Sequence, residues 1–196
     1  MSTRLPAKER KAAVLDCACG IFQAGSYRGT TTAEIAREAG VTEPVLYRHF
    51  ASKRALYLAV LEESWSRLRD LWEAAVEAEP DPKFWVGAMG RAYFAANDPR
   101  VRCADLWMQA LVEASDDAEI RKFLRKQMRE VHEFVSDVMR RSQAAGGVFR
   151  ERDPSAEAWI FISIGLLGTV GRRVGSLLEE DFEAIITSRR AWMTGA

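Results

Sequence analysis

Apolar residues along this chain recur at intervals of three and four, and sustained alternation is nearly absent. That periodicity predicts helices rather than strands. Ala12, Leu15, Cys19 and Phe22 share one face of a first helix that ends at Gly25. A polar, glycine-containing loop covers 25–30. Thr31 and Glu34 then carry the S/T-x-x-E spacing of a capping box, which opens a second, short helix. Gly40 is a natural residue for closing it. Thr42 stands where it can cap a third short helix, with Pro44 in the first turn, where a missing N–H costs nothing. That helix ends near Phe50. Ser52 caps a long fourth helix reaching about residue 78, with Leu56, Val60, Leu61, Trp65, Leu68, Trp72 and Val76 inward.

Pro80-Asp81-Pro82 and Asn97-Asp98-Pro99 interrupt the pattern. Between and after them the periodicity predicts helices over about 83–96 and up to about Glu113. A long helix follows from 115–117 to about Ala145 and is closed by Gly146-Gly147. Asp153-Pro154-Ser155 opens a helix over 156–171, and a last one covers about 180–193. The expectation is an all-α chain of about nine helices. Two short capped helices around Gly40-Val41, behind a supporting first helix, have helix-turn-helix proportions, with Ile35, Leu46 and Phe50 fixing their crossing. This divides the chain into a helix-turn-helix DNA-binding domain over 1–54, with its motif at about 31–50, and a helical effector-binding and dimerisation body over 55–196.

Charge sharpens the division. The 28 basic and 28 acidic residues cancel overall. Residues 1–54 nevertheless hold nine Lys/Arg against five Asp/Glu, and the rest carries the matching acid excess. A basic head on an acidic body is the electrostatic footprint of a polyanion binder. Cys17, Cys19 and Cys103 are odd in number and form no disulfide framework; small buried thiols in a reducing compartment are expected. No secretory leader pattern opens the chain, and the longest uncharged run, 158–171, is 14 residues, too short to span a bilayer. A soluble, cytoplasmic protein without a membrane partner is therefore expected. Phosphate-loop, dinucleotide, nucleophile-elbow and zincin motifs are absent and the two histidines lie far apart, so no catalytic site, metal or cofactor is expected.

The third helix projects an outer face of Glu43, Pro44, Tyr47 and Arg48, with Val45 beside them. Amides and hydroxyls at Thr31 and Thr42 suit phosphate oxygens, and Tyr47, His49 and Lys53 can add contacts. The run Thr30-Thr31-Thr32-Ala33-Glu34-Ile35-Ala36, then Ala39-Gly40-Val41-Thr42, then Leu46-Tyr47-Arg48-His49-Phe50 with Ser52-Lys53, resembles the DNA-binding domain of the tetracycline-repressor (TetR) family. Phe22, Gly25 and Tyr27 fit the same pattern. The resemblance covers about residues 8–60. It implies a regulator that binds double-stranded operator DNA as a homodimer, on a pseudo-palindrome, and is released by a small-molecule effector. It also implies backbone contacts from Thr31 or Thr32, Thr42, Tyr47, His49 and Lys53, with Glu43, Pro44, Val45 and Arg48 near base edges. Glu43 and Pro44 depart from the small or basic residue common in that family. Glu43 keeps a rival open, a helical small-molecule-binding protein whose N-terminal domain no longer binds DNA.

The body is rich in large adaptable side chains. Trp72, Trp85, Met89, Tyr93, Trp107, Met108, Phe123 and Met128 are candidates for an apolar or aromatic effector cavity, each with core packing as the plainer role. The helix over 156–171 is apolar nearly all round and must be covered on more than one side. Trp159, Ile162, Gly165, Leu166 and Gly168, with Phe182, Ile185 and Ile186 of the last helix, are candidates for a four-helix dimer interface.

Overall fold

The computed structural model describes residues 6–96, 98–175 and 177–194. Among them are nine α-helices and no strand: α1 (Ala7–Ala24), α2 (Thr32–Glu38), α3 (Glu43–His49), α4 (Lys53–Ala78), α5 (Trp85–Ala95), α6 (Cys103–Glu113), α7 (Ala118–Ala144), α8 (Pro154–Arg173) and α9 (Phe182–Thr194). Single 3-10 turns at Pro82–Phe84 and Pro99–Val101 follow the two proline breaks. The expected elements are therefore present, within a few residues at each end.

The chain forms two compact units. The first comprises Met1–Leu68 with Asn97–Arg125, the second Arg69–Ala96 with Lys126–Ala196. The stretch 97–125, expected in the body, thus joins the N-terminal helices, and α4 and α7 each contribute to both units.

In the first unit the core is built on Phe22, Ile35, Leu46, Leu56, Tyr57, Leu61 and Leu106, each fully buried. Burial of one such side chain stabilises by about 1.5–3 kcal/mol. Ion pairs then fix the covering elements. Asp16 of α1 takes Arg67 at 2.6 Å and Arg100 at 3.0 Å. Gln109 of α6 donates from Nε2 to the Gln23 carbonyl at 3.1 Å. Arg28 pairs with Glu113 at 2.9 Å and with Asp116, and Arg54 pairs with Asp117 at 3.0 Å. These pairs tie the loop 25–30 and the start of α4 to the turn between α6 and α7. Cys19 and Cys103 are buried; burial pushes the Cys19 thiol up to about 11 and that of Cys103 well above its usual range. Both stay protonated and act as small hydrophobes.

In the second unit Trp72 stacks on Phe134 at 6.0 Å and meets the edge of Phe161 at 5.7 Å. Val76, one turn further along α4, is only half-buried. The turn after α7 needs its glycines. Gly146 has φ 84°, and a Cβ on Gly147 would land on the Lys83 backbone. Helix α8 has 20 residues, and its best window has a mean hydropathy of 1.2, enough by length and composition to cross a membrane. The 14-residue uncharged run understated it, because α8 also carries Glu157. That carboxylate is buried and paired with Arg189 of α9, the arrangement by which a folded protein accommodates an inward charge.

Candidate nucleic-acid interface

The surface starts with an aromatic anchor. Phe22 of α1, Tyr27 of the loop and Tyr57 of α4 meet with ring centroids 4.8–6.3 Å apart. This contact joins α1, the loop and α4, the elements on either side of α2 and α3. Tyr57 is wholly enclosed there, and burial raises its phenol well above the ordinary value.

Helix α2 opens with the expected capping box. Thr31 Oγ1 accepts from the Glu34 N–H at 3.2 Å, and Glu34 Oε2 accepts from the Thr31 N–H at 2.8 Å. The Thr31 N–H and hydroxyl hold the Glu34 carboxyl below its usual range. Its end is a Schellman closure. Gly40 lies at φ 65°, the Val41 N–H reaches the Ala36 carbonyl at 2.9 Å, and the Gly40 N–H reaches that of Arg37 at 3.1 Å. Helix α3 follows with Leu46 buried beneath it and Phe50 at its end.

Several expected positions are re-set by this geometry. Thr31 does not offer a free amide and hydroxyl, since both are spent on Glu34. Thr42 is the N-cap of α3, but its exposed side chain makes no capping bond: Pro44 has no N–H to give, and the Val45 N–H reaches the Thr42 backbone carbonyl instead. Thr32 donates to Glu43 Oε1 at 2.6 Å and lies 3.1 Å from the Tyr47 hydroxyl. The three residues form one chain of hydrogen bonds from α2 to α3. Pro44, Tyr47 and Arg48 are exposed on α3, while Glu43, Val45 and His49 are half-buried. Tyr47 keeps 47% of its surface open. Lys53 is half-buried, with Nζ 4.6 Å above the Tyr27 ring and 3.5 Å from the Arg28 carbonyl. Partial burial lowers its pKa from the ordinary lysine value. Pro44, Tyr47 and Arg48 thus belong to one exposed helix face, held from below by Leu46. Arg28 and Arg54, engaged by the 113–117 turn, were singled out by no sequence pattern; the excess of positive charge in residues 1–54 was their only signal.

The expected effector residues divide between the units. Trp107, 3% exposed, and the half-buried Met108 and Phe123 lie in the first. Trp72, Met89 and Tyr93 are core residues of the second, and Met128 is half-buried there. Trp85 lines a cleft of about 500 Å³, which it shares with Phe134, Val138, Glu73, Glu77, Glu79, Asp137 and Arg141. Arg141 stacks on its ring at 4.3 Å. A second cleft of about 320 Å³ lies among Phe94, Gly168, Gly171, Leu178 and Phe182, with Arg172 and Glu179 as polar members. His132 donates from Nε2 to the Ser155 carbonyl at 2.9 Å and stacks on Trp159 at 4.3 Å.

Of the expected interface residues, Trp159 and Ile186 are exposed, and Gly165, Leu166, Phe182 and Ile185 are half-buried. Ile162 is only 7% exposed, and Gly168 is covered by Phe94 and Phe182 of the same chain, so both face inward. Ile160 and Leu167, not singled out from sequence, stand open on α8 at 38% and 36%.

Two family profiles match the chain. That of the bacterial regulatory proteins of the tetR family covers residues 14–60, and that of the BetI-type transcriptional repressor C-terminal domain covers 82–164. The chain is 38% identical over 91 residues to the HTH-type transcriptional activator FasR of Mycolicibacterium smegmatis, 46% of this chain and 42% of that one. It is 30% identical over 115 residues to the HTH-type transcriptional regulator BetI of Rhizobium meliloti, 59% of this chain and 57% of that one. The chain thus spans about half the length of these two relatives. Among solved structures, a TetR-family transcriptional regulator from Agrobacterium tumefaciens superposes with a TM-score of 0.80 at 18% identity, over 96% of this chain and all of that one. AibR in complex with isovaleryl coenzyme A and operator DNA gives 0.62 at 22%, over 80% and 84%. The helical architecture and both matched segments agree: the chain belongs to the TetR family of bacterial transcriptional regulators.

Proposed function

We propose that this chain binds operator DNA as a homodimer, on a pseudo-palindromic site, and represses transcription until a small molecule in the helical body releases it. The observation that carries the reading is the exposed face of α3, with Pro44, Tyr47 and Arg48 outward on a helix fixed by Leu46 and by the closure at Gly40. A helix of this width enters the major groove, where Arg48 meets base edges while Tyr47, His49, Thr42 and Lys53 grip the backbone. Val45 and Pro44 flank the bases. Glu43 has a different part: its carboxylate accepts from Thr32, which favours an internal brace over a base contact, while its charge remains.

Two copies are required because one short helix reads too few base pairs, and paired half-sites lie one helical turn (~34 Å) or a multiple apart. The stripe of Trp159, Ile160 and Leu167 on α8, with Ile186 on α9, supports a paired surface, since apolar side chains in register along one helix gain most from a partner. The cleft at Phe94 and Phe182 supports an apolar or aromatic effector. For release, the effector must favour the DNA-incompetent state by about 1–3 kcal/mol. AibR was solved with both an acyl-coenzyme A and its operator, which supports a ligand and DNA acting on one regulator of this fold.

The test is a gel shift of the full chain on the DNA upstream of its own gene, with sedimentation run on the bound species. Retarded DNA carrying two copies is expected. Free DNA at all protein concentrations, alongside folded protein, would overturn the proposal.

A further inference from the structure

We propose that Arg28 and Arg54 are two further phosphate-binding residues, which the acidic turn at 113–117 holds away from DNA as long as its three carboxylates keep their charge. This rests on the DNA-binding reading above. Lys53 marks the edge of the candidate surface. Arg54 is its chain neighbour, and the Arg28 carbonyl lies 3.5 Å from Lys53 Nζ. Both guanidinium groups therefore start within one side chain's reach of a cation assigned to the DNA backbone. Neither is walled in. The side chains of Arg28 and Arg54 keep 62% and 47% of their surface open, which leaves room to swing.

Three carboxylates now occupy them. Glu113 Oε2 accepts from Arg28 Nε at 2.9 Å, Asp116 takes its Nη2, and Asp117 Oδ2 accepts from Arg54 Nη1 at 3.0 Å. A carboxylate presents a guanidinium with the same charge and the same oxygen fork as a phosphate. The turn thus acts as a stand-in for the DNA backbone, supplied by residues 85–89 positions along the chain from Arg28. Exposed pairs of this kind are weak, so loss of the three charges is enough to free both groups. Duplex DNA offers a charge every ~1.7 Å of axis, each with a counterion to release. While the pairs hold, on DNA as in solution, the parent chain forgoes these two contacts and the part of its affinity they would carry, as any masked binding state does. A turn that served only as structural glue would show the opposite mutational sign, because loosening it would misplace the head.

The variant that unmasks both arginines is Glu113→Gln with Asp116→Asn and Asp117→Asn. It removes charge and keeps acceptors. Asn at 117 also keeps the bonds that Oδ1 accepts from the amides of Glu119 and Ile120. Asp116→Asn alone is the milder variant, at a position 68% open. Anisotropy titrations of the full chain on fluorescent duplex DNA over a salt series read affinity and slope, with thermal unfolding recorded for each variant. Tighter binding is expected, with a salt slope steeper by about 0.9 for each arginine released. Adding Arg28→Ala and Arg54→Ala should return the slope to that of the parent chain. The same two changes in the parent should leave its slope unaltered. A triple variant that is folded yet binds with the same or a shallower slope overturns the proposal, as does an equal loss of slope from the arginine changes in both backgrounds. Absence of duplex binding by every folded variant, parent included, overturns the DNA-binding reading itself.

Discussion

Thr32 donates its hydroxyl hydrogen to Glu43 across 2.6 Å, joining the first residue of α2 to the first residue of α3. A hydroxyl has one hydrogen to give, so the Tyr47 hydroxyl, 3.1 Å away, must donate to Thr32 in turn. The order of donors fixes what each substitution does. Glu43→Gln retains an acceptor for Thr32 and removes a negative charge near the groove. A charge ~6 Å from a phosphate is worth about 0.7 kcal/mol in water. Binding of duplex DNA should tighten roughly threefold, with an unchanged melting temperature.

Tyr47→Phe and Lys53→Ala separate two kinds of interaction. On DNA the Tyr47 hydroxyl must turn its hydrogen from Thr32 to a phosphate; Tyr47→Phe removes that donor and should weaken binding to every sequence alike, by about 1 kcal/mol or roughly fivefold. Lys53→Ala removes a cation and should also make the salt slope shallower by about 0.9 for each phosphate that the lysine neutralises. Titrations on matched and scrambled DNA over a salt series measure both quantities. An unaltered slope for Lys53→Ala would remove the phosphate role from that residue.

Gly40→Ala should cost stability through the backbone alone. No atom lies within 4 Å of the added Cβ, but φ is +65°, where an L side chain costs about 1–2 kcal/mol. A drop of roughly 2–8 °C in the unfolding midpoint is expected for a chain of this size. Calorimetry on the full chain checks it.

Acid should loosen the first unit. Arg100 beside Asp98, and Arg54 beside Asp117, hold those carboxyls below the usual range. Their folded pKa values lie under the unfolded ones, so the unfolded chain binds more protons as pH falls. Their stabilising contribution is complete above about pH 5 and is lost as pH drops through the folded values. The unfolding midpoint should therefore decline below that point. Asp117→Asn should flatten the decline by about 1–2 °C, in keeping with exposed ion pairs.

Much of the fold was legible because it is written in local signals. The Thr31/Glu34 spacing, Gly40, the two proline breaks and the 3.6-residue period each act within a turn or two of where they stand, and helix ends follow them closely. The site was legible only in part. Helical spacing shows that Tyr47 and Arg48 leave the core that Leu46 enters, but not that Thr31 has spent its donors on Glu34 or that Thr42 leaves capping to its carbonyl. Partners far apart in sequence were hidden altogether. Arg28 meets Glu113 across 85 positions, a pairing set by tertiary packing that no period encodes. Ile162 and Gly168 show the same limit. An all-apolar helix reveals that several faces are covered, while the choice between Phe94 and a second copy depends on how α5 and α9 fold back.

The most direct test is selection of genomic DNA fragments on the purified full chain, repeated with Tyr47→Phe/Arg48→Ala. Enriched fragments should share two inverted half-sites centred about one helical turn apart, or a multiple of it, and the variant should lose that enrichment. Fragments with no common symmetric element, or equal enrichment by the variant, would contradict a reading of DNA through α3.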